Sequence, residues 1–179
     1  MNLLFWVLFL ASYLERVVFD LGPNIELVTL AMLLSASYLG TEKSLKLVLL
    51  ILILSDMVIG NTNIFIFTWS GFLIPALLAG KIFMKARFSG SKRVLLGSGL
   101  GIMANLFFFI WTNFGVWALD NWGMYTNDLG GLIACYINGL PFLKAQLVST
   151  LLFVPIGFSL HEYVMNLQFT KYKVQFERG

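Results

Sequence analysis

The chain has 179 residues, of which 59% are hydrophobic and only 12% charged, with a net charge of +3 and a mean hydropathy of +0.84. A soluble domain of this size carries about twice that charged fraction. This composition, with apolar runs too long for a globular core, describes a polytopic membrane protein with no room for a separate soluble module. The single cysteine, Cys135, excludes an intrachain disulfide, and one cysteine with one histidine excludes a metal site of the usual ligand count. No phosphate loop, nucleophile elbow or HExxH motif occurs, so neither a cofactor nor an enzymatic activity is expected. The basic residues are too few and too close to the apolar runs for nucleic-acid binding.

The hydrophobic pattern predicts an all-α fold with six transmembrane helices. Residues 2–20 form the first, interrupted by Glu15 and Arg16; no positive segment precedes the run and no A-x-A site follows it, so it is read as an uncleaved span. Asp20-Leu-Gly-Pro-Asn24 is a turn by composition. The second span covers about 24–40, with Asn24 and Glu26 suited to a helix N-terminus. Its Ala31/Ser35 and Ala36/Gly40 pairs are small-xxx-small packing signals.

The third span, about 44–59, ends in Leu54-Ser-Asp56. A carboxylate in such a run costs about 2.5–3.5 kcal/mol when central and less near an end, so Asp56 calls for a partner such as Arg16. Gly60-Asn-Thr-Asn63 is a tight turn, placing Asn61 and Asn63 outside the span. The fourth span, about 64–84, carries Trp69 and a kinking Pro75. Lys81, Lys85, Arg87, Lys92 and Arg93 form an acid-free basic segment, which the positive-inside rule places in the cytoplasm.

The fifth span, about 94–119, opens with Gly97-xxx-Gly101. It contains a polar stripe at helical spacing, with Asn105, Thr112 and Asn113 beside Phe109. Amides facing lipid go unsatisfied, so the stripe faces protein or a cavity. It is either interhelical hydrogen bonding or the wall of a binding site. Residues 131–140 are read as a short interfacial or re-entrant helix, with Pro141 in the first turn of the last span, about 141–167.

Six spans put both termini in the cytoplasm, with the 41–46 and 81–93 loops. The intramembrane polar groups then gather in the external half: Arg16, Asn24, Glu26, Asp56, Asn61, Asn63, Trp69, Asn105, Thr112, Asn113, Trp117 and Tyr125 are the candidate substrate-binding residues. Asp56 and Glu26 also have structural explanations, as a paired acid and a helix cap. Trp69, Trp111, Trp117, Trp122 and Tyr125 suit either a ring-shaped ligand or the interfacial aromatic belt. Cys135 reads as a small buried residue, and His161 as a group near the inner interface.

Five stretches carry a resemblance: Pro23-Asn-Ile-Glu-Leu-Val-Thr29, Leu54-Ser-Asp56, Thr112-Asn-Phe-Gly-Val-Trp117, Gly130-Gly-Leu-Ile-Ala-Cys-Tyr136 and Leu140-Pro-Phe142. They resemble an uncharacterised family of small bacterial membrane proteins that is similar to the substrate-binding S components of energy-coupling factor (ECF) transporters. The resemblance implies a six-helix protein of the bacterial inner membrane with an outward-facing pocket for a vitamin-like micronutrient. It further implies partners, a transmembrane T component and ATPase subunits. S components often carry Ala-xxx-Ala in the first helix; here Ala11-Ser12 stands without such a pair. The alternative is a non-transport membrane scaffold of the rod-shape or cell-envelope type, with a partner at the Lys81–Arg93 loop. A third reading, an intramembrane enzyme, has only Asp56, Glu26 and His161 as acid–base groups, and the predicted topology puts His161 at the opposite face.

Overall fold

A computed structural model describes residues 3–60, 64–120 and 123–176. Among them lie six α-helices: α1 (Leu3–Leu14), α2 (Val28–Tyr38), α3 (Thr41–Ile59), α4 (Phe65–Ala86), α5 (Ser91–Leu119) and α6 (Leu129–Phe176). Three of them, α4, α5 and α6, are long and apolar enough to cross a membrane. Their apolar residues face outward in quantity (Leu95, Met103, Ile110, Leu151 and Ile156 are all more than half exposed), as lipid-facing surfaces are.

The all-helical expectation holds, with two corrections. Residues 131–140 are not a separate interfacial helix. They form the start of the 48-residue α6, which runs through both Pro141 and Pro155. Each proline leaves one carbonyl, of Ile137 and of Leu151, without its helical N–H donor, a loss the neighbouring turns tolerate inside a long helix. The second helix is also shorter than the 24–40 stretch suggested. It covers 11 residues, which rise roughly 16 Å, about half a bilayer core.

That short helix is the centre of the fold. Eight of the 11 residues of α2 are buried, and it touches all five other helices. A helix so enclosed has no need of lipid-matching length, because protein surrounds it. Gly40, at φ +91°, turns the chain directly from α2 into α3, a left-handed conformation a side chain rarely adopts. Ser44 then donates its hydroxyl to the Met32 carbonyl at 2.8 Å, pinning the hairpin.

The helices α5 and α6 pack antiparallel along their length. Gly97 lies against the Phe158 ring and Gly101 against the Thr150 methyl, where an added Cβ would sit 2.8 and 2.6 Å from the neighbouring carbons. The Gly97-xxx-Gly101 signal thus marks a close helix crossing, as expected. Midway, Asn105 donates through Nδ2 to the Gln146 carbonyl at 3.0 Å and to Thr150 Oγ1 at 2.7 Å.

The bundle has two chemically distinct ends. One carries Tyr38, Lys43, Lys46, Lys85, Arg87, Lys92 and Arg93, at the C-terminal ends of α2 and α4 and the starts of α3 and α5. The other gathers the ends of α1 and α3 and the starts of α2 and α4. There α1 passes into a single π-helical segment, Glu15–Phe19, closed by the Asp20 N–H bonding the Glu15 carbonyl at 2.8 Å. Such wide turns commonly mark functional positions in a helix.

Candidate functional site

Residues 20–27 connect α1 to α2 without regular structure, because Asp20, Gly22 and Asn24 all take positive φ. Backbone outside a helix ladder must find its hydrogen bonds elsewhere. The bonds are specific. The Leu27 N–H donates to Glu15 Oε2 at 3.1 Å, and the Glu26 N–H donates to Ser149 Oγ at 3.1 Å. Ser149 returns a bond to the Glu26 carbonyl at 3.1 Å, and Ser12 donates to the Leu27 carbonyl at 3.3 Å. The capping role expected of Glu26 therefore falls to Glu15: the start of α2 has no side-chain cap from its own turn.

With its backbone fixed in this way, the Glu26 carboxylate turns toward Arg16. Arg16 Nη1 lies 3.5 Å from Glu26 Oε2, Nη2 donates to Asp56 Oδ1 at 3.0 Å, and Nε donates to Ser55 Oγ at 2.9 Å. Trp69 donates its indole N–H to Asp56 Oδ2 at 2.7 Å. Gln146 and Thr29 donate to Glu26 Oε1 at 3.4 and 3.5 Å. The three charged side chains are 18%, 12% and 7% exposed for Arg16, Glu26 and Asp56, so their interactions are poorly screened by water. The expected Arg16–Asp56 pair is present, and the guanidinium ties the π-helical segment to α3 and to the irregular 20–27 segment.

A cavity of about 200 Å³ opens beside this network. Arg16, Asn24, Glu26 and Asp56 form its polar wall. Phe72 and Phe108, with ring centroids 4.6 Å apart, belong to its apolar wall. Thr68 completes the rim beside Gly60. The volume is smaller than a drug-sized pocket and suits a compact ligand held by polar groups on one side and rings on the other.

Of the twelve residues expected from sequence, the structure brings Arg16, Asn24, Glu26 and Asp56 onto this cavity, with Trp69 bonded behind Asp56. Asn61 and Asn63 lie outside the described residues, as does Trp122. The others stand elsewhere. Asn105 ties α5 to α6. Thr112 and Asn113 bond the carbonyls of Phe108 and Phe109 one turn back on their own helix, at 2.7 and 2.8 Å. Trp117 donates to the Thr126 carbonyl, and the Tyr125 hydroxyl accepts from Asn138. Trp111 bonds Ser70 at 2.8 Å. Cys135 is buried, with its thiol against the Asn113 carbonyl.

Several participants carried little signal in the sequence. Ser55 and Glu15 are not among the residues expected from sequence, although each is adjacent in the chain to one that is, Asp56 and Arg16. Gln146, Ser149 and Thr29 are isolated polar residues in apolar runs, indistinguishable there from interhelical bonding. Among the described residues no three metal-ligating side chains converge.

At the opposite end, His161 lies 3.8 Å from the Tyr38 ring, centroid to centroid, far along α6 from Gln146. A larger open groove of about 610 Å³ runs there between α5 and α6, past Gly90, Pro155 and Glu162.

No curated protein and no solved structure matches the chain. Over residues 1–173 the sequence matches one family model, and the chain belongs to that family, the family of unknown function DUF6580.

Proposed function

We propose that the chain is the substrate-binding membrane subunit of an ECF-type importer, taking a small micronutrient from outside the cell into the cavity beside Arg16. The observation that carries this reading is the pairing of a void with a buried charged wall: Arg16, Glu26 and Asp56 face about 200 Å³ of space rather than only one another. Buried ionisable groups in a membrane bundle are expensive and are characteristically kept at substrate or ion sites.

Three further features support it. The cavity is at the end away from the basic loops. The positive-inside rule assigns those loops to the cytoplasm, so the cavity opens outward. The irregular 20–27 segment and the half-length α2 then make one broken crossing, giving six passes with both termini cytoplasmic. Broken helices with irregular backbone at the cavity are how many transporters place polar groups at membrane depth. The chain carries no nucleotide-binding motif, so uptake draws its energy from partners, in this reading a T component and ATPases in the bacterial inner membrane.

Native mass spectrometry of the protein gently extracted from its own cells tests the proposal. The expected result is a retained small molecule, lost in Asp56→Ala and Glu26→Ala variants that still fold. A ligand-free protein carrying other envelope proteins instead would overturn it in favour of the scaffold.

A further inference from the structure

We infer that the ligand of this cavity is a small organic cation, an ammonium or amidinium group carried on a compact body. The inference rests on the reading of the cavity as a binding site and concerns the charge of what it binds.

The argument begins with a charge count. Arg16 is the one cation ion-paired with the network among the described residues. Facing it are Glu26 and Asp56, and directly behind them Glu15, which is 5% exposed and holds the Leu27 N–H. If all are ionised, three carboxylates meet one guanidinium, an excess of two negative charges. The α3–α4 turn does not redress it, since Asn61, Thr62 and Asn63 are uncharged. Neither does Lys144. It is exposed on α6 two residues from Gln146, which puts it on the far side of that helix from the network. The partial positive charge at the start of α2 offsets part of the excess, equivalent to roughly half an elementary charge. With all three ionised, a net negative charge is left in a weakly screened site, where an unmatched charge is costly and is relieved by a proton or by a bound cation.

The second part is the aromatic lining. Phe72 and Phe108 offer aromatic surface to the same void that Glu26 and Asp56 border. A ring face is the electronegative part of an aromatic side chain and attracts cations. Carboxylates and aromatic rings around one void are complementary to a positively charged ligand and unfavourable for an anion. An anionic ligand would add to an existing excess of negative charge, with Arg16 already spent on Ser55, Glu26 and Asp56. A neutral ligand would leave that excess unrelieved. Of the three ligand classes, a cation is the one that lowers the electrostatic cost of the ionised site as it binds.

An isosteric series separates charge from shape. Acetamidinium, acetamide and acetate share one planar outline and differ in charge: positive, neutral and negative. Their binding to the purified full-length protein in detergent is read from the shift of the thermal midpoint at constant ionic strength. The expected result is saturable stabilisation by acetamidinium at a concentration at least tenfold below that needed for either of the others, and a loss of that preference in Glu26→Gln. Tighter binding of acetate or acetamide would overturn the cationic assignment while leaving the cavity a binding site. Binding of none of the three, together with no small molecule retained from the cell, would overturn both. The wild-type comparison needs no variant, so a Glu26→Gln protein that fails to fold does not rescue the inference.

Discussion

The two ends of the bundle use the same kinds of side chain to opposite effect. At the basic end Tyr38 donates its hydroxyl to Glu162 Oε1 at 2.5 Å, and the Gly90 N–H donates to Oε2 at 2.9 Å. The Arg93 guanidinium lies 4.8 Å above the Tyr38 ring, which also packs against His161 and Phe158. One carboxylate and one guanidinium share the Tyr38 side chain, and the carboxylate also satisfies the start of α5. These groups close on each other and lock α2, α5 and α6 together. At the cavity end an arginine, acids and aromatic rings again meet, but the acids outnumber the arginine and the rings line a void. A balanced cluster is a clamp. An unbalanced cluster beside space has capacity left for something else.

The largest expected effect comes from removing the centre of the unbalanced cluster. Arg16→Met leaves Glu26 and Asp56 buried without their cation, which costs about 3–5 kcal/mol when one partner of a buried pair is lost. Unfolding in detergent should show a large drop in stability, and Asp56→Asn in the same chain should recover part of it. A small effect with no recovery would mean that the network is hydrated and the contrast between the two ends is lost.

The seam between the ends gives the next effect. At Gly101 even a methyl group would meet the Thr150 methyl carbon at 2.6 Å, so Gly101→Ala forces α5 and α6 apart. Overpacking of this kind costs about 1–3 kcal/mol. The thermal midpoint should fall while a retained ligand, measured by native mass spectrometry on the folded fraction, stays bound. Loss of ligand at unchanged stability would show that the cavity is sensitive to the α5–α6 spacing.

At the balanced end, Tyr38→Phe removes one hydrogen bond to Glu162 and keeps the ring under Arg93. The expected loss is about 1 kcal/mol, with no change in ligand retention. A change in binding would mean that the two ends are coupled through α2, which reaches from one cluster to the other.

Much of this contrast could be read from the chain, for a definite reason. A charge inside an apolar run must be matched, so Arg16 and Asp56 pointed to each other across 40 residues, and Gly97 and Gly101 announced a close crossing. The lengths of helices were harder. The sequence reads as a second span from about residue 24, yet the helix begins only at Val28, because Glu15 and Ser149 hold the preceding backbone from outside that segment. In α6 the opposite happened. Residues 131–140 read as a separate short helix and Pro141 as the start of the last span, but glycine there permits close approach, with Gly139 against Asn113 and Phe109, and the helix continues. The polar stripe of α5 divided for a similar reason. Thr112 and Asn113 satisfy themselves on their own helix, a local solution that spacing cannot distinguish from a binding wall.

The smallest effect belongs to neither cluster and serves as their control. Asp128, exposed just before α6, accepts the Gly131 N–H at 2.8 Å and the Thr126 hydroxyl at 2.9 Å. These bonds to the ionised carboxyl hold its pKa below the usual carboxylate value. A depressed folded pKa means the stabilisation is complete above the ordinary carboxylate range and is lost as pH falls through the lowered value. Amide exchange at residues 129–133, corrected for its intrinsic pH dependence, should therefore quicken at acid pH. Asp128→Ala should reproduce that fraying at neutral pH. Because the bonds are local and solvent-exposed, the thermal midpoint and ligand retention should not move. If they did, the first turn of α6 would have to be transmitting its order down to Gln146 and the cavity, and the site would extend further along that helix than its lining residues.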